Sequence, residues 1–134
     1  MSTHLEGDVK FTLEPANPSY AKNGSTAKLV WDYHADNRST ELAEIVYSVE
    51  TNRRFRRFTK MLLINNDGST ENHTNIPAAY KGRVKIEGNA TLVIEDINLQ
   101  DNTRFKCQIF PIPVPGLCCK VESIVQLIVT GMYY

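Results

Sequence analysis

Few residues in this chain have the types and spacing that catalysis or metal binding requires. The three histidines, His4, His34 and His73, lie in separate polar segments with no Glu-x-x-His motif beside them. Because zinc sites bring several such ligands together, no metal site is expected. The glycines occur one at a time rather than in a phosphate-binding loop. We therefore expect a non-enzymatic protein that needs no cofactor.

The Arg53–Lys60 run, RRFRRFTK, is the one chemically distinctive surface feature. Such a cluster is able to bind heparan sulfate, a glycosaminoglycan, or an acidic lipid head group. It is equally able to form a solvated hairpin whose arginine stems cover apolar surface. A protein interface is the third interpretation, because arginine and aromatic residues are enriched at binding hot spots. The sequence leaves these three interpretations open.

Length, composition and charge set limits on the class of protein. The chain has 134 residues, 42% of them hydrophobic, and a formal net charge of zero. These totals fit a single domain, 1–134, with a core over about 8–130, and argue against a nucleic-acid binder. No stretch approaches the roughly 18 apolar residues of a membrane span, so any membrane contact is expected through an anchor outside this chain. The first residues lack an apolar secretion signal, so the chain either starts inside a larger precursor or is cytosolic.

Cysteines and glycosylation sequons indicate the compartment. Three cysteines are an odd number, which in a secreted domain leaves one thiol free or linked to another chain. Four Asn-x-Ser/Thr sequons favour the secretory pathway and make the protein a candidate glycoprotein. The candidate N-glycosylation sites are Asn23, Asn37, Asn72 and Asn89.

Period-two alternation of apolar residues predicts a series of short strands and no helix of useful length. Pro15 and Pro18 are expected to end or divert the first strand, and Asp67-Gly68 to form a hairpin turn. A short edge strand within 69–79 is only weakly indicated. The predicted strands are 8–14, 25–32, 41–50, 53–64, 83–87, two within 90–109, and 119–129. Many short strands with turns every 8–12 residues are typical of a β-sandwich.

Several motifs resemble those of V-set immunoglobulin domains. Asp101-x-x-x-Phe105-x-Cys107 is similar to the corner before strand F of that family, where an aromatic residue precedes the sheet-bridging cysteine by two. The other matching segments are Gly24 to Leu29-x-Trp31, Gly82-Arg83-Val84-x-Ile86, Leu92-x-Ile94-x-x-Ile97 and Val125-x-Leu127-x-Val129. The resemblance implies an all-β, immunoglobulin-like (V-set) Greek-key β-sandwich of two antiparallel sheets with about nine strands. It also implies an ion pair between Arg83 and Asp101.

Three positions depart from that family's pattern. Trp31 stands where strand B normally has a cysteine, so the usual disulfide between strands B and F cannot form. Phe105 replaces the corner tyrosine, and Tyr47 is the best match to the strand-C tryptophan. We expect Trp31 to fill the space between the sheets, where its indole N–H would need an acceptor.

Cys107 therefore lacks its ordinary partner, and two alternatives remain. The thiol is either free and buried, or it bridges to the last strand. Folding the hairpin about Pro113–Val114 would place residue 107 opposite about residue 120, which makes Cys107–Cys119 the candidate disulfide. A β-bulge would favour Cys118 as the partner.

The resemblance implies an extracellular recognition or adhesion domain of a cell-surface receptor on the outer side of the plasma membrane. Partners would bind the G-F-C-C′ face, and acidic residues at 41, 44 and 50 beside the basic run suggest a surface that pairs with its own copy. Trp31 and the GRVKIEGNATLVIEDI segment look most like invertebrate receptors, including cnidarian allorecognition receptors, which bind homophilically. The alternatives are a receptor domain for another ligand, such as heparan sulfate, and a structural module of a scaffold protein. The candidate partner-binding residues are Glu44, Tyr47, Arg54, Arg56, Phe58 and, in the proline-rich tip, Ile112 and Val114.

Overall fold

The computed structural model describes residues 9–35, 42–111 and 120–131, which form ten strands and two short 3₁₀ helices. The strands are β1 Val9–Leu13, β2 Ser19–Lys22, β3 Ala27–Ala35, β4 Leu42–Asn52, β5 Arg57–Asn65, β6 Thr70–Asn72, β7 Val84–Glu87, β8 Ala90–Ile94, β9 Arg104–Pro111 and β10 Val121–Thr130. The 3₁₀ helices are Ala78–Tyr80 and Leu99–Asp101. The predicted all-β fold is thus confirmed.

The strands form two sheets that enclose the core between them. The smaller sheet has the order β1-β3-β8-β7 and the larger one the order β2-β10-β9-β4-β5-β6. All pairs within the described residues are antiparallel except β2 with β10, which is parallel. The two sheets are otherwise antiparallel, as predicted, and this parallel pair at one edge is a feature that the prediction did not include. β2 follows the diversion predicted at Pro15 and Pro18, where the chain crosses from the smaller sheet to the larger one.

The hairpin between β4 and β5 differs from the prediction. The strand expected over 53–64 begins at Arg57, and Asn52 pairs with Arg57 across the hairpin. Arg53 to Arg56 form the turn, in which Arg56 has a φ of 52° and the side chain of Asn52 accepts from the N–H of Phe55 at 3.1 Å. The basic residues therefore cluster at the tip of the hairpin rather than along a strand.

Tyr47 and Trp31 fill the space between the sheets. Both are buried, and their rings meet edge to face with centroids 5.9 Å apart. The Tyr47 hydroxyl donates to the carbonyl of Ala90 at 2.6 Å, which joins β4 of the larger sheet to β8 of the smaller one. The Trp31 indole N–H, in contrast, has no acceptor among the described residues. Packing and one buried hydrogen bond thus link the sheets here.

Cys107 is a buried free thiol within the described residues, which agrees with one of the two alternatives that the sequence left open. The β9–β10 ladder places Cys107 opposite Ser123, so the predicted register, with residue 107 opposite about residue 120, is wrong. Cys118 and Cys119 lie outside the described residues. Burial raises the pKa of Cys107 to about 12, and a protonated buried thiol is a poor nucleophile.

Arg83 and Asp101 form the ion pair that the resemblance implied. Two guanidinium nitrogens of Arg83 donate to the two carboxylate oxygens of Asp101 at 3.0 and 2.9 Å. Arg83 also donates to three backbone carbonyls, and Asp101 accepts from the N–H of Asn98 at 2.9 Å. The hydrogen bonds to Asp101 hold the pKa of Arg83 above its ordinary value. The pair ties the beginning of β7 to the 3₁₀ turn before β9.

Candidate protein-interaction surface

The outward side chains of β4, β5, β9 and β10 form one continuous surface, here called the outer face. They point away from the core because side chains alternate along a strand. Pairing between adjacent strands aligns these side chains in rows that run across the sheet. The members are Glu44, Val46, Ser48 and Glu50 on β4, Phe58, Lys60 and Leu63 on β5, Arg104, Lys106, Gln108 and Phe110 on β9, and Glu122, Ile124 and Gln126 on β10.

The centre of the outer face is tightly covered. Val46 and Ser48 point outward, yet they are only 0% and 2% exposed. Ser48 pairs with Lys60 on one side and Lys106 on the other, and Gln108 flanks Val46. The small residues at the centre of the face thus lie beneath longer side chains. A partner would contact those longer side chains and would not need to separate the strands.

Phe58 and three cations form the basic end of the outer face, next to the β4–β5 turn. The Lys106 ammonium lies 4.3 Å and the Arg104 guanidinium carbon 5.5 Å from the centroid of the Phe58 ring. Lys60 is also exposed at this end, where it pairs with Ser48 across from Lys106. Arg104 is bound by Glu50 through two hydrogen bonds, one of them 3.2 Å between Nε and Oε1. Glu50 is therefore already neutralised, so it is not available to attract a second copy as the sequence suggested.

The Glu50–Arg104 pair predicts a pH-dependent stability. Hydrogen bonds from Arg104 hold the pKa of Glu50 below its ordinary value of 4.5. Because the folded pKa is lowered, the pair stabilises the fold above pH 4.5 and its contribution disappears as the pH falls through the folded pKa.

Glu50→Gln should thus lower the free energy of unfolding at pH 7 by about 1 kcal/mol, with the difference vanishing in acid. Urea unfolding across this pH range measures the effect. Glu87→Gln, which breaks the exposed pair with Lys28, is the control. A difference that persists in acid would contradict the assignment.

The opposite end of the outer face is mostly acidic. It carries Glu44 and Glu122, and the side chain of Gln108 donates to Glu122 at 2.9 Å. Glu71 on β6 pairs with Leu63 and adds a third carboxylate at the edge. Lys120, just before β10, is the opposing cation. The outer face is thus polarised along the strands, with carboxylates at one end and cations at the other.

The arginine turn, Arg53 to Arg57, projects at the end of the sandwich beyond this face. Phe55 is 64% exposed at its tip, and the guanidinium carbons of Arg54 and Arg57 lie 5.6 and 6.0 Å from the centroid of its ring. The guanidinium of Arg53 donates to the carbonyl of Asn102. Arg54 and Arg56, predicted to bind partners, therefore lie on this turn and not among the rows of the face.

Other predicted site residues are placed differently. Tyr47 is 0% exposed and points into the core, so its assignment to partner binding is wrong. Glu44 and Phe58 lie on the outer face, and their role there stays a prediction. Ile112 and Val114, with Asn37, Glu41 and His4, lie outside the described residues. Within the described residues no cluster of possible metal ligands occurs.

The predicted glycosylation sites avoid the outer face where they are described. Asn23 lies in the turn after β2, Asn72 at the end of edge strand β6 and Asn89 in the turn between β7 and β8, and all three are exposed. Asn89 also donates to Asp32 at 2.7 Å. A glycan at any of these three sites would therefore be attached outside β4, β5, β9 and β10.

The arrangement of the two sheets defines an immunoglobulin V-type fold, and solved structures share it. Mouse CRIg superposes with a TM-score of 0.73 at 17% identity, covering 91% of this chain and 99% of that chain. Domain 1 of VCBP3 from Branchiostoma floridae gives 0.66 at 19%, covering 93% and 98%. The tandem V-type regions of VCBP3, a v-region-containing chitin binding protein, give 0.66 at 16%, covering 92% of this chain and 46% of that chain.

At the level of sequence, no protein-family model and no curated protein matches the chain. The likeness to the solved structures therefore shows the fold. No helix in the described part of the chain has the length and apolar character to cross a membrane.

Proposed function

We propose that this chain is a single recognition domain on the extracellular side of a cell-surface receptor, and that its outer face binds a protein partner, preferably a second copy. It acts without catalysis or a cofactor. The polarised outer face carries this proposal, because its acidic and basic ends lie on one continuous surface. Many V-type domains are recognition modules, and this shared fold supports the general class.

A second copy suits the charges of the outer face. In a two-fold dimer each surface meets its own copy, and a two-fold axis that crosses the strands brings the residues at one end against those at the other. Lys60 and Lys106 of one copy would then face Glu44 and Glu122 of the other. The net charge of zero means that two copies do not repel one another over long distances. The resemblance to homophilic invertebrate allorecognition receptors supports the same preference.

Charge reversal tests the proposal without disturbing the core. A first variant, Lys60→Glu with Lys106→Glu, makes the whole face acidic, and a second, Glu44→Lys with Glu122→Lys, makes it basic. Each variant alone should self-associate about tenfold more weakly than the wild type, because like charges meet. An equimolar mixture of the two should associate again. Sedimentation velocity over a concentration series measures all three samples.

Lys10→Glu with Lys85→Glu is the matched control, since it changes the charge equally on exposed residues of the smaller sheet. This control should self-associate as the wild type does. A wild-type protein that stays monomeric at high concentration would refute the homophilic proposal. Charge-reversed variants that still dimerise normally would refute the assignment to the outer face.

A further inference from the structure

A groove of about 470 Å³ lies at the end of the sandwich, where the β4–β5 turn meets the 3₁₀ turn before β9. Its volume is within the range of ligand-binding clefts. The apolar part of its lining comes from Val49, Pro77, Ala79, Tyr80 and Leu99. Leu99 is 61% exposed, so a large apolar side chain stands uncovered at the groove.

Unpaired cations lie beside this groove. Arg53 is part of its lining, and the arginine turn continues from there through Arg57. Among the described residues, Arg54, Arg56 and Arg57 have no carboxylate partner. Glu50, the one carboxylate in the lining, is already bound by Arg104. The groove therefore combines an apolar wall with an uncompensated positive rim.

We propose that the groove and the arginine turn form a second binding site, separate from the outer face, for an acidic polypeptide segment that carries an apolar or aromatic side chain. The carboxylates of the segment would pair with the arginines, whose forked guanidinium groups suit them. The apolar side chain would cover Leu99 in the groove. Burying such an anchor at the centre of a charged contact is typical of binding hot spots.

Other occupants fit these features less well. Two copies that met through this end would bring their arginine turns together, and the like charges would repel. A sulfated glycan would pair with the arginines and leave the apolar wall at Leu99 without a partner. The acidic segment with an apolar side chain uses both parts of the site.

Two polymers of matched length, poly-glutamate and a random copolymer of glutamate and tyrosine, test this proposal, with heparin as the competing ligand. Fluorescence anisotropy measures the binding of each labelled probe to the intact chain. The copolymer should bind about threefold to tenfold more tightly than poly-glutamate, because only the copolymer has a side chain for the groove. Leu99→Ser should abolish that difference and leave the affinity for poly-glutamate unchanged.

Reversal of the turn, Arg54→Glu with Arg57→Glu, should weaken both polypeptides by about tenfold or more. Lys10→Glu with Lys85→Glu, which changes the net charge equally, should have little effect on either. The proposal is overturned if neither polypeptide binds, if Leu99→Ser does not alter the preference for the copolymer, or if heparin binds more tightly than both polypeptides. The outer-face variant Lys60→Glu with Lys106→Glu should keep the preference for the copolymer over poly-glutamate, so the two sites can fail separately.

Discussion

Asp101→Ala is expected to destabilise the domain by about 3–5 kcal/mol, the usual cost of removing one partner of a buried ion pair. The Asp101 side chain is 0% exposed and that of Arg83 is 17% exposed. Without the carboxylate, the Arg83 guanidinium stays largely buried and keeps its hydrogen bonds to backbone carbonyls and its contact with the Tyr80 ring, but no anionic partner. The variant also loses the acceptor for the N–H of Asn98, which begins the 3₁₀ turn before β9. Urea unfolding at neutral pH measures the change.

Asp96→Asn is the matched control for Asp101→Ala. Asp96 is an exposed carboxylate near the same arginine, and only its backbone carbonyl accepts from Arg83. Its φ of 52° is one that asparagine tolerates well. The control should change the free energy of unfolding by less than about 0.5 kcal/mol. If Asp101→Ala costs no more than Asp96→Asn, the pair does not stabilise the corner.

The sheets and the corner were predictable because they depend on local spacing. Alternation places Phe105 and Cys107 toward the core whatever the neighbouring strands do. The Arg83–Asp101 ion pair was predicted because the segments around both residues resemble those of V-set immunoglobulin domains. The register of the β9–β10 hairpin was predicted wrongly, because it depends on the conformation of the connecting loop, which proline positions alone do not determine. β2 was missed because four residues next to prolines show too little alternation.

The outer face was harder to predict than the fold. The outward positions of Lys106 and Glu122 follow from the same alternation that identified the core, so a signal for them was present. Their positions relative to Phe58 could not be predicted, because β9 and β5 are joined only through β4. The order of the strands is a property of the whole sheet. The pairing of Glu50 with Arg104 likewise joins residues 54 positions apart. The sequence therefore identified Glu50 as an acidic residue near the basic run, but it did not show that Arg104 neutralises this residue.

Trp31→Ala is expected to cost about 3–5 kcal/mol, the typical loss for removing a large buried aromatic side chain. Trp31 is 1% exposed and packs edge to face on Tyr47. It stands where the resemblance would place a bridging cysteine, and Cys107 is a free thiol. Packing therefore stabilises this part of the core without a covalent link, and alanine would leave a cavity between the two sheets. Equilibrium unfolding by urea, followed by circular dichroism, measures the loss.

Trp31→Phe separates the packing of the ring from its hydrogen bonding. The indole N–H has no acceptor among the described residues, and a buried donor without a partner is itself unfavourable. Phenylalanine removes that donor and keeps most of the aromatic contact, so Trp31→Phe should cost clearly less than Trp31→Ala. Val30→Ala, at a 41% exposed position on the same strand, should cost about 1 kcal/mol or less. If the phenylalanine and alanine variants are equally unstable, the indole N–H makes a stabilising bond and packing alone does not explain the replacement of the cysteine.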